Sequence, residues 1–122
     1  MTSMYQEHIL DHYHYPRQHG SLEHATHRSD TKNISCGDTL HMDIFIKDSI
    51  IDDIRFSGNG CAISQASASL LCEYALHKDV STLLALTKDD VLQLLGIELS
   101  PNRLKCGILS LETLHKALNA TQ

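Results

Sequence analysis

Residues 58–69 read Gly-Asn-Gly-Cys-Ala-Ile-Ser-Gln-Ala-Ser-Ala-Ser. The Gly-Asn-Gly turn ends a strand-like run and places Cys61 at the predicted N-terminus of a helix. Exposed N–H groups and the positive end of the helix dipole stabilise a thiolate at such a position. Because a thiolate is both a nucleophile and a soft metal ligand, this stretch predicts a reactive or metal-binding site at Cys61.

Composition limits the classes of protein that the chain can belong to. The 122 residues predict a single domain, residues 1–122, and 42% of them are apolar, which is enough for a core. We expect a cytoplasmic protein, because no secretory signal and no membrane-spanning apolar run are visible. The formal charge of −5 argues against non-specific nucleic-acid binding, which requires Lys and Arg to neutralise phosphates.

Two strands are the clearest secondary-structure elements. Residues 38–47 alternate apolar and polar side chains, as a half-buried strand does. Asp48-Ser49 predicts a tight turn, after which residues 50–57 return with Ile54 and Phe56 facing inward. A polar, Thr-rich stretch at 25–33 is compatible with an additional edge strand. The pattern therefore predicts a β-hairpin that runs directly into the turn before Cys61.

Helices are predicted on both sides of these strands. Tyr5, Ile9 and Tyr13 have helical spacing behind a capping pattern at Ser3, and Pro16 ends that helix. The other predicted helices begin near Cys61, span residues 79–86, run from the Thr87 cap to Gly96, and begin at Ser100-Pro101. A helix, antiparallel strands and then several helices make an α+β arrangement.

Three of the four cysteines, at positions 36, 61, 72 and 106, are predicted to converge. The hairpin places the loop of Cys36 beside Cys61, since antiparallel neighbours bring the start of one strand next to the end of the other. Cys106 near the start of the last helix joins them if that helix crosses the end of the sheet. Asp38 would complete an S₃O set suited to tetrahedral Zn²⁺.

Alternatives to this site are weaker. Cys72 is interpreted as a buried small hydrophobe, and disulfides are disfavoured in a chain without an export signal. His8 and His12, at i and i+4, form a pair that leaves two metal positions empty. A zinc ribbon lacks its Cys-x-x-Cys, and no base is fixed beside a thiol for a Cys-His protease. The residues alone thus indicate a three-thiolate metal or sulfur site.

Four motifs resemble those of the U-type iron–sulfur cluster assembly scaffolds, the family of IscU, SufU and the N-terminal domain of NifU. In order along the chain they are residues 5–20, Ser35–Asp38, Gly58–Ser69, and Arg103–Cys106 with Leu109. The resemblance covers the whole chain. It implies an α+β fold of the SufE/NifU type, with a three-stranded antiparallel sheet packed against several helices.

The resemblance also implies a function. Cys36, Asp38, Cys61 and Cys106 would surround a metal site that transiently holds a [2Fe–2S] cluster, and the isolated protein would hold Zn²⁺ or no metal. A PLP-dependent cysteine desulfurase would supply persulfide sulfur, with Cys36 and Cys106 as candidate acceptors. Clusters would pass on to iron–sulfur carriers or apoproteins.

The sequence departs from the family pattern at several positions. The IscU branch has a histidine directly before the third cysteine, whereas this chain has Lys105, which matches the SufU branch. The insertion typical of SufU is nevertheless missing between Cys61 and Cys106. Residues 100–105 do not reproduce the Leu-Pro-Pro-Val-Lys chaperone motif, and Ile34 replaces a common proline. An alternative interpretation is therefore a zinc-dependent sulfur-transfer protein that activates its desulfurase without building a cluster. Sulfurtransferase activity belongs to that alternative, and a structural zinc domain is a third interpretation.

Overall fold

A computed structural model of the chain describes residues 3–33, 37–96 and 99–119, apart from the side chains of residues 3–6 and 102. Three strands and five helices follow one another within these ranges. They are α1 (Ser3–His14), β1 (His27–Lys32), β2 (Thr39–Lys47), β3 (Ile50–Asn59), α2 (Ala62–Ala75), α3 (Val80–Leu84), α4 (Lys88–Leu95) and α5 (Pro101–Asn119). The predicted α+β order is confirmed.

The sheet is antiparallel in the order β1-β2-β3. β2 and β3 form the predicted hairpin, and its register runs from Thr39 opposite Asn59 to Lys47 opposite Ile50. Asp48 and Ser49 connect the strands with φ values of 54° and 64°, the mirror-image turn that suits the twist of a hairpin. The predicted edge strand is also present, as β1 paired with β2.

One face of the sheet forms the main apolar core with α2 and α5. Leu40, Met42 and Ile44 of β2, with Ile54 and Phe56 of β3, are at most 1% exposed. Burial of each such side chain contributes about 1.5–3 kcal/mol of transfer free energy. The alternation of apolar residues therefore fixes which face of the hairpin lies against the helices.

A smaller apolar cluster joins α1, α2 and α4 through Ile9, Leu70 and Leu95. Tyr13, which shares the helical spacing of Ile9, is 40% exposed, whereas His12 is 2% exposed. The buried face of α1 therefore includes His12 rather than Tyr13. The Ser69 hydroxyl of α2 provides the hydrogen-bond partner that the buried His12 ring nitrogen needs.

The helix ends follow the predicted signals. The capping box of Thr87 and Asp90 opens α4, and Gly96 closes it in the left-handed conformation at φ 75°. α5 begins at Pro101 as predicted, whereas α3 is shorter than its predicted span. None of the described helices combines the length and apolar character needed to cross a membrane.

Both outer edges of the sheet have hydrogen-bond partners. Residues 18–20 pair with Phe56 on the edge of β3, where each of two backbone bonds measures 2.9 Å. Residues 77–78 pair with the other end of β3. On the opposite edge, the Lys116 Nζ donates to the backbone oxygen of Asp30 at 2.7 Å.

Candidate metal and sulfur site

Asp38 lies at the end of the loop that leads from β1 into β2. The Asn33 N–H donates to the backbone oxygen of Asp38 at 2.8 Å, and the Gly37 N–H donates to that of Asn33 at 2.7 Å. These bonds tie the two ends of the loop together. The Asp38 side chain is 6% exposed, so the loop turns a carboxyl group inward.

Cys61 caps the N-terminus of α2, as predicted. Its backbone is extended, with φ −71° and ψ 168°, and its carbonyl accepts bonds from the Gln65 N–H and the Ser64 hydroxyl, both at 3.1 Å. The thiol side chain is half-buried. Because Thr39 pairs with Asn59, the hairpin register places Asp38 beside Cys61.

Cys106 lies in the second turn of α5 and is 4% exposed. The helix dipole acts within the first turn, so the expected help from the dipole is weaker at Cys106 than at Cys61. A buried serine of α2 fixes the neighbouring backbone: the Ser67 hydroxyl donates to the carbonyl of Gly107 at 2.6 Å and lies 2.8 Å from the Ser110 hydroxyl. The position of Cys106 therefore depends on contact between α2 and α5.

Asp38, Cys61 and Cys106 form one cluster of metal-ligating atoms. Their ligand atoms all lie within 4.8 Å of one another, and the described residues hold no other group of three or more such ligands. The three residues come from a loop, a helix cap and a helix interior. The fold thus gathers three of the four predicted ligands at one end of the sheet.

Cys36, the fourth predicted ligand, lies outside the described residues together with Ile34 and Ser35. Its role stays a prediction. It precedes Gly37 and Asp38 directly, so its sequence position remains compatible with a ligand from the same loop.

The donor set suits a tetrahedral metal ion of borderline softness. Tetrahedral ligands about 2.3 Å from Zn²⁺ lie roughly 3.8 Å apart, so the cluster needs only a modest contraction to enclose an ion. Two sulfurs and one carboxylate oxygen fit Zn²⁺ or iron better than Mg²⁺ or Ca²⁺, which prefer all-oxygen sites.

Cys72 is separate from this cluster. It is fully buried between the sheet and the helices, and burial raises the pKa of its thiol strongly. The prediction of a buried small hydrophobe is confirmed.

Of the His8–His12 pair, His12 is buried and used in packing, whereas His8 is exposed. The rings meet edge-on with centroids 4.9 Å apart, and the His12 Nδ1 is hydrogen-bonded to the Ser69 hydroxyl at 2.7 Å. Burial lowers the pKa of His12, and the nearby Arg17 adds to this effect. A neutral ring bound to serine has a structural role between α1 and α2.

His41 lies in the opposite electrostatic setting, on the outer face of the sheet. Its Nδ1 is 2.7 Å from Asp30 and its Nε2 is 2.6 Å from Asp43, whose side chain is buried. Partial burial lowers the pKa of His41, but the two carboxylates outweigh that effect and raise it overall. The charged imidazolium is thus favoured here.

Lys105, the residue at the departure from the IscU pattern, is exposed. It lines an open groove beside the cluster, together with Thr39 and Gly58 of the hairpin and Glu112 further along α5. Its positively charged side chain directly precedes Cys106 in the sequence.

Sequence reasoning missed the serines that hold the site together. Ser64 and Ser67 are buried in α2, and their hydroxyls bond to the carbonyls of Cys61 and Gly107, each at or next to a cluster residue. From the sequence alone, these positions were interpreted only as small side chains that allow close packing. The available signal was their place on a predicted buried face, where a hydroxyl requires a partner.

Comparison with known proteins places this geometry in one family. The family described as "NifU-like N terminal domain" matches residues 4–122. The chain is 35% identical to the iron–sulfur cluster assembly scaffold protein IscU of Thermotoga maritima, over 94% of this chain and 92% of that protein. It is 31% identical to the zinc-dependent sulfurtransferase SufU of Bacillus subtilis, over 97% and 91%.

Solved structures share the fold. A Fervidobacterium islandicum protein, described as a candidate assembly scaffold of the SUF system, superposes with a TM-score of 0.80 at 28% identity, covering 97% of this chain and 98% of that one. The N-terminal part of a NifU-like protein from Brucella abortus gives a TM-score of 0.79 at 16% identity, covering 96% and 93%, which supports the fold alone.

Proposed function

The chain belongs to the NifU-like N-terminal domain family, and from that premise we propose that it acts as a scaffold for iron–sulfur cluster assembly. It accepts sulfur, transiently holds a [2Fe–2S] cluster and delivers that cluster to carriers or apoproteins. The observation that carries this proposal is the convergence of Asp38, Cys61 and Cys106 at one end of the sheet.

Cys36, Asp38, Cys61 and Cys106 are the proposed ligands of the cargo. A single carboxylate among thiolates supports temporary holding, because a hard oxygen ligand exchanges from iron more readily than a thiolate does. When Zn²⁺ occupies the same residues, it keeps the thiols deprotonated and protected from oxidation.

A cysteine desulfurase is the proposed sulfur donor. A scaffold thiolate attacks the outer sulfur of the desulfurase persulfide, a new S–S bond forms, and the desulfurase cysteine leaves as a thiolate. Cys36 and Cys106 are the candidate acceptors. Since Cys106 is 4% exposed, acceptance there requires a local opening that exposes its sulfur.

Anaerobic reconstitution tests the scaffold proposal. The chain is incubated with ferrous iron, cysteine, a desulfurase and a thiol reductant, and visible absorption and iron and sulfide content are measured after desalting. We expect a chromophore with two irons and two sulfides per cluster, which Cys61→Ala abolishes. Cys72→Ala, at the buried cysteine outside the site, is the matched control and should retain the chromophore. No chromophore in the unsubstituted protein would refute the scaffold function.

The second candidate function is zinc-dependent sulfur transfer. Lys105 favours it, because the lysine matches the SufU branch and a protonated amine does not ligate metal. The similarity to the B. subtilis sulfurtransferase supports the same direction. Desulfurase turnover with zinc-loaded protein discriminates: stimulation without cluster formation selects sulfur transfer. Unfolding on removal of zinc would select a structural zinc domain instead.

We also propose that residues 1–122 act as one domain in the cytoplasm, without nucleic-acid or membrane partners. Packing of α2 against α1, β3, α4 and α5 supports a single cooperative unit. The net charge of −5 opposes binding to phosphate backbones.

A further inference from the structure

Gly60, directly before Cys61, is pressed against the side chain of Asp38. A Cβ atom at position 60 would lie 2.8 Å from the Asp38 Cγ, 3.1 Å from its Cβ and 2.5 Å from the Ser64 hydroxyl oxygen. Carbon atoms in proteins do not approach this closely, so any side chain at position 60 displaces its neighbours. The carboxyl group of Asp38 therefore rests directly on the bare α-carbon of Gly60.

Gly60 is required for a different physical reason than the two nearby glycines, Gly37 and Gly58. Gly37 has φ +78° but open space around it, so its backbone conformation favours glycine. Gly58 has φ +149°, and a Cβ there would also collide with the Thr39 backbone oxygen at 2.1 Å. Gly60 does not have a positive φ. Its φ therefore does not itself call for glycine, and the space taken by Asp38 and Ser64 is what excludes a side chain.

We propose that Gly60 is a positioning residue for the Asp38 ligand. The missing side chain lets the carboxylate reach the ligand position beside Cys61 and Cys106, and an alanine methyl would push it away while leaving the thiols in place. This inference rests on the metal site of the proposed function. It assigns control of the oxygen ligand to a residue that binds no metal itself.

Neighbouring contacts explain why Asp38 yields to a methyl group more readily than the turn does. Thr39 and Asn59 are paired across the hairpin, so the backbone on both sides of the contact is fixed. Ser64 is fully buried, and its hydroxyl is bonded to the Cys61 carbonyl. The remaining contact is the Asp38 carboxyl group at the end of its side chain, and we expect the added methyl to displace that group rather than the paired backbone.

Cobalt binding to the reduced, metal-free chain of residues 1–122 tests the proposal. Co²⁺ affinity is measured anaerobically by competition with a chelator, and the thiolate charge-transfer and ligand-field bands are recorded. We expect Gly60→Ala to weaken binding by about 10–100-fold, the range for residues that orient a ligand, with charge-transfer absorption retained. Asp38→Ala should show the same changes in the ligand-field bands. The decisive comparison is the double variant, in which Gly60→Ala should add less than about twofold to the loss from Asp38→Ala.

Each other outcome decides against the inference. Binding by Gly60→Ala at the unsubstituted affinity, or losses that multiply in the double variant, would show that Gly60 does not act through Asp38. Full recovery of Gly60→Ala by an added Ser64→Ala would place the effect in the helix start instead. If Gly60→Ala alone is too unstable to purify, Asp38→Ala must restore its stability, and failure to do so overturns the inference. Absence of thiolate–cobalt absorption in the unsubstituted protein would refute the metal site itself.

Discussion

The hydroxyl of Ser67 joins α2 to α5 beside Cys106, and Ser67→Ala removes that link. Two hydrogen bonds are lost, at 2.6 Å to the Gly107 carbonyl and at 2.8 Å to the Ser110 hydroxyl. Each contributes about 0.5–1.5 kcal/mol net, and alanine returns roughly 0.5 kcal/mol through its higher helix propensity. We expect a net loss of about 0.5–2.5 kcal/mol in the free energy of unfolding.

Urea denaturation of the metal-free protein, followed by far-ultraviolet circular dichroism, measures this loss. For a chain of this length this loss corresponds to a decrease in Tm of about 2–10 °C. Ser81→Ala is the matched control, because the exposed Ser81 hydroxyl bonds only to the side chain of its neighbour Asp79. That control should change stability by less than about 0.5 kcal/mol.

The same variant tests whether the link supports the site as well as the fold. If Ser67 holds Cys106 in place, the gain in stability on adding Zn²⁺ should be smaller in Ser67→Ala than in the unsubstituted protein. A tenfold loss of zinc affinity removes about 1.4 kcal/mol from that gain. If Ser67→Ala loses no more stability than Ser81→Ala, the reasoning is refuted. If Zn²⁺ stabilises Ser67→Ala as much as the unsubstituted protein, Ser67 supports the packing of the fold and not the metal site.

Three further predictions concern titration and reactivity. The pKa of His12 is lowered in the folded protein, so the unfolded chain takes up a proton first as pH falls below about 6.5, and this uptake lowers the stability of the fold. His12→Asn should remove this loss, measured as the free energy of unfolding of the variant minus that of the unsubstituted protein across pH 5–8. The pKa of His41 is raised in the folded protein, so its contribution to stability is complete below about pH 6.5 and is lost as pH rises. His41→Gln should remove this opposite dependence. Parallel curves of unfolding free energy against pH for the two variants would contradict both assignments. The buried Cys72 thiol should resist alkylation by iodoacetamide in the metal-free folded protein while the half-buried Cys61 reacts, as peptide mapping would show; equal labelling would contradict the burial.

Local signals account for the parts of the fold that the sequence predicts well. The alternation in residues 38–47 defines a strand and its buried face, and the capping box at Thr87 defines a helix start without reference to the rest of the chain. The approach of Asp38 to Cys61 was also predictable, because hairpin pairing alone determines it.

Features that depend on distant partners were not predictable. Burial of His12 requires Ser69, 57 residues away, and no local pattern reports that contact. Residues 18–20 pair with β3 through their backbone, and the Gln18 side chain also donates to the carbonyl of Ile54, but a stretch with the composition of a loop gives no sign of either contact. The convergence of Cys106 with the other ligands was predicted only on the condition that α5 crosses the end of the sheet, and the packing of α5 against α2, β1 and β2 fulfils that condition.

The covered edges of the sheet have a consequence for colloidal behaviour. A three-stranded sheet with bare edges would add strands from other copies and grow into insoluble assemblies. Here residues 18–20 and 77–78 occupy the β3 edge, and the Lys116 ammonium occupies a carbonyl on the β1 edge. The β3 edge is therefore closed to strand addition by another copy, and on the β1 edge the Lys116 side chain obstructs such addition at Asp30.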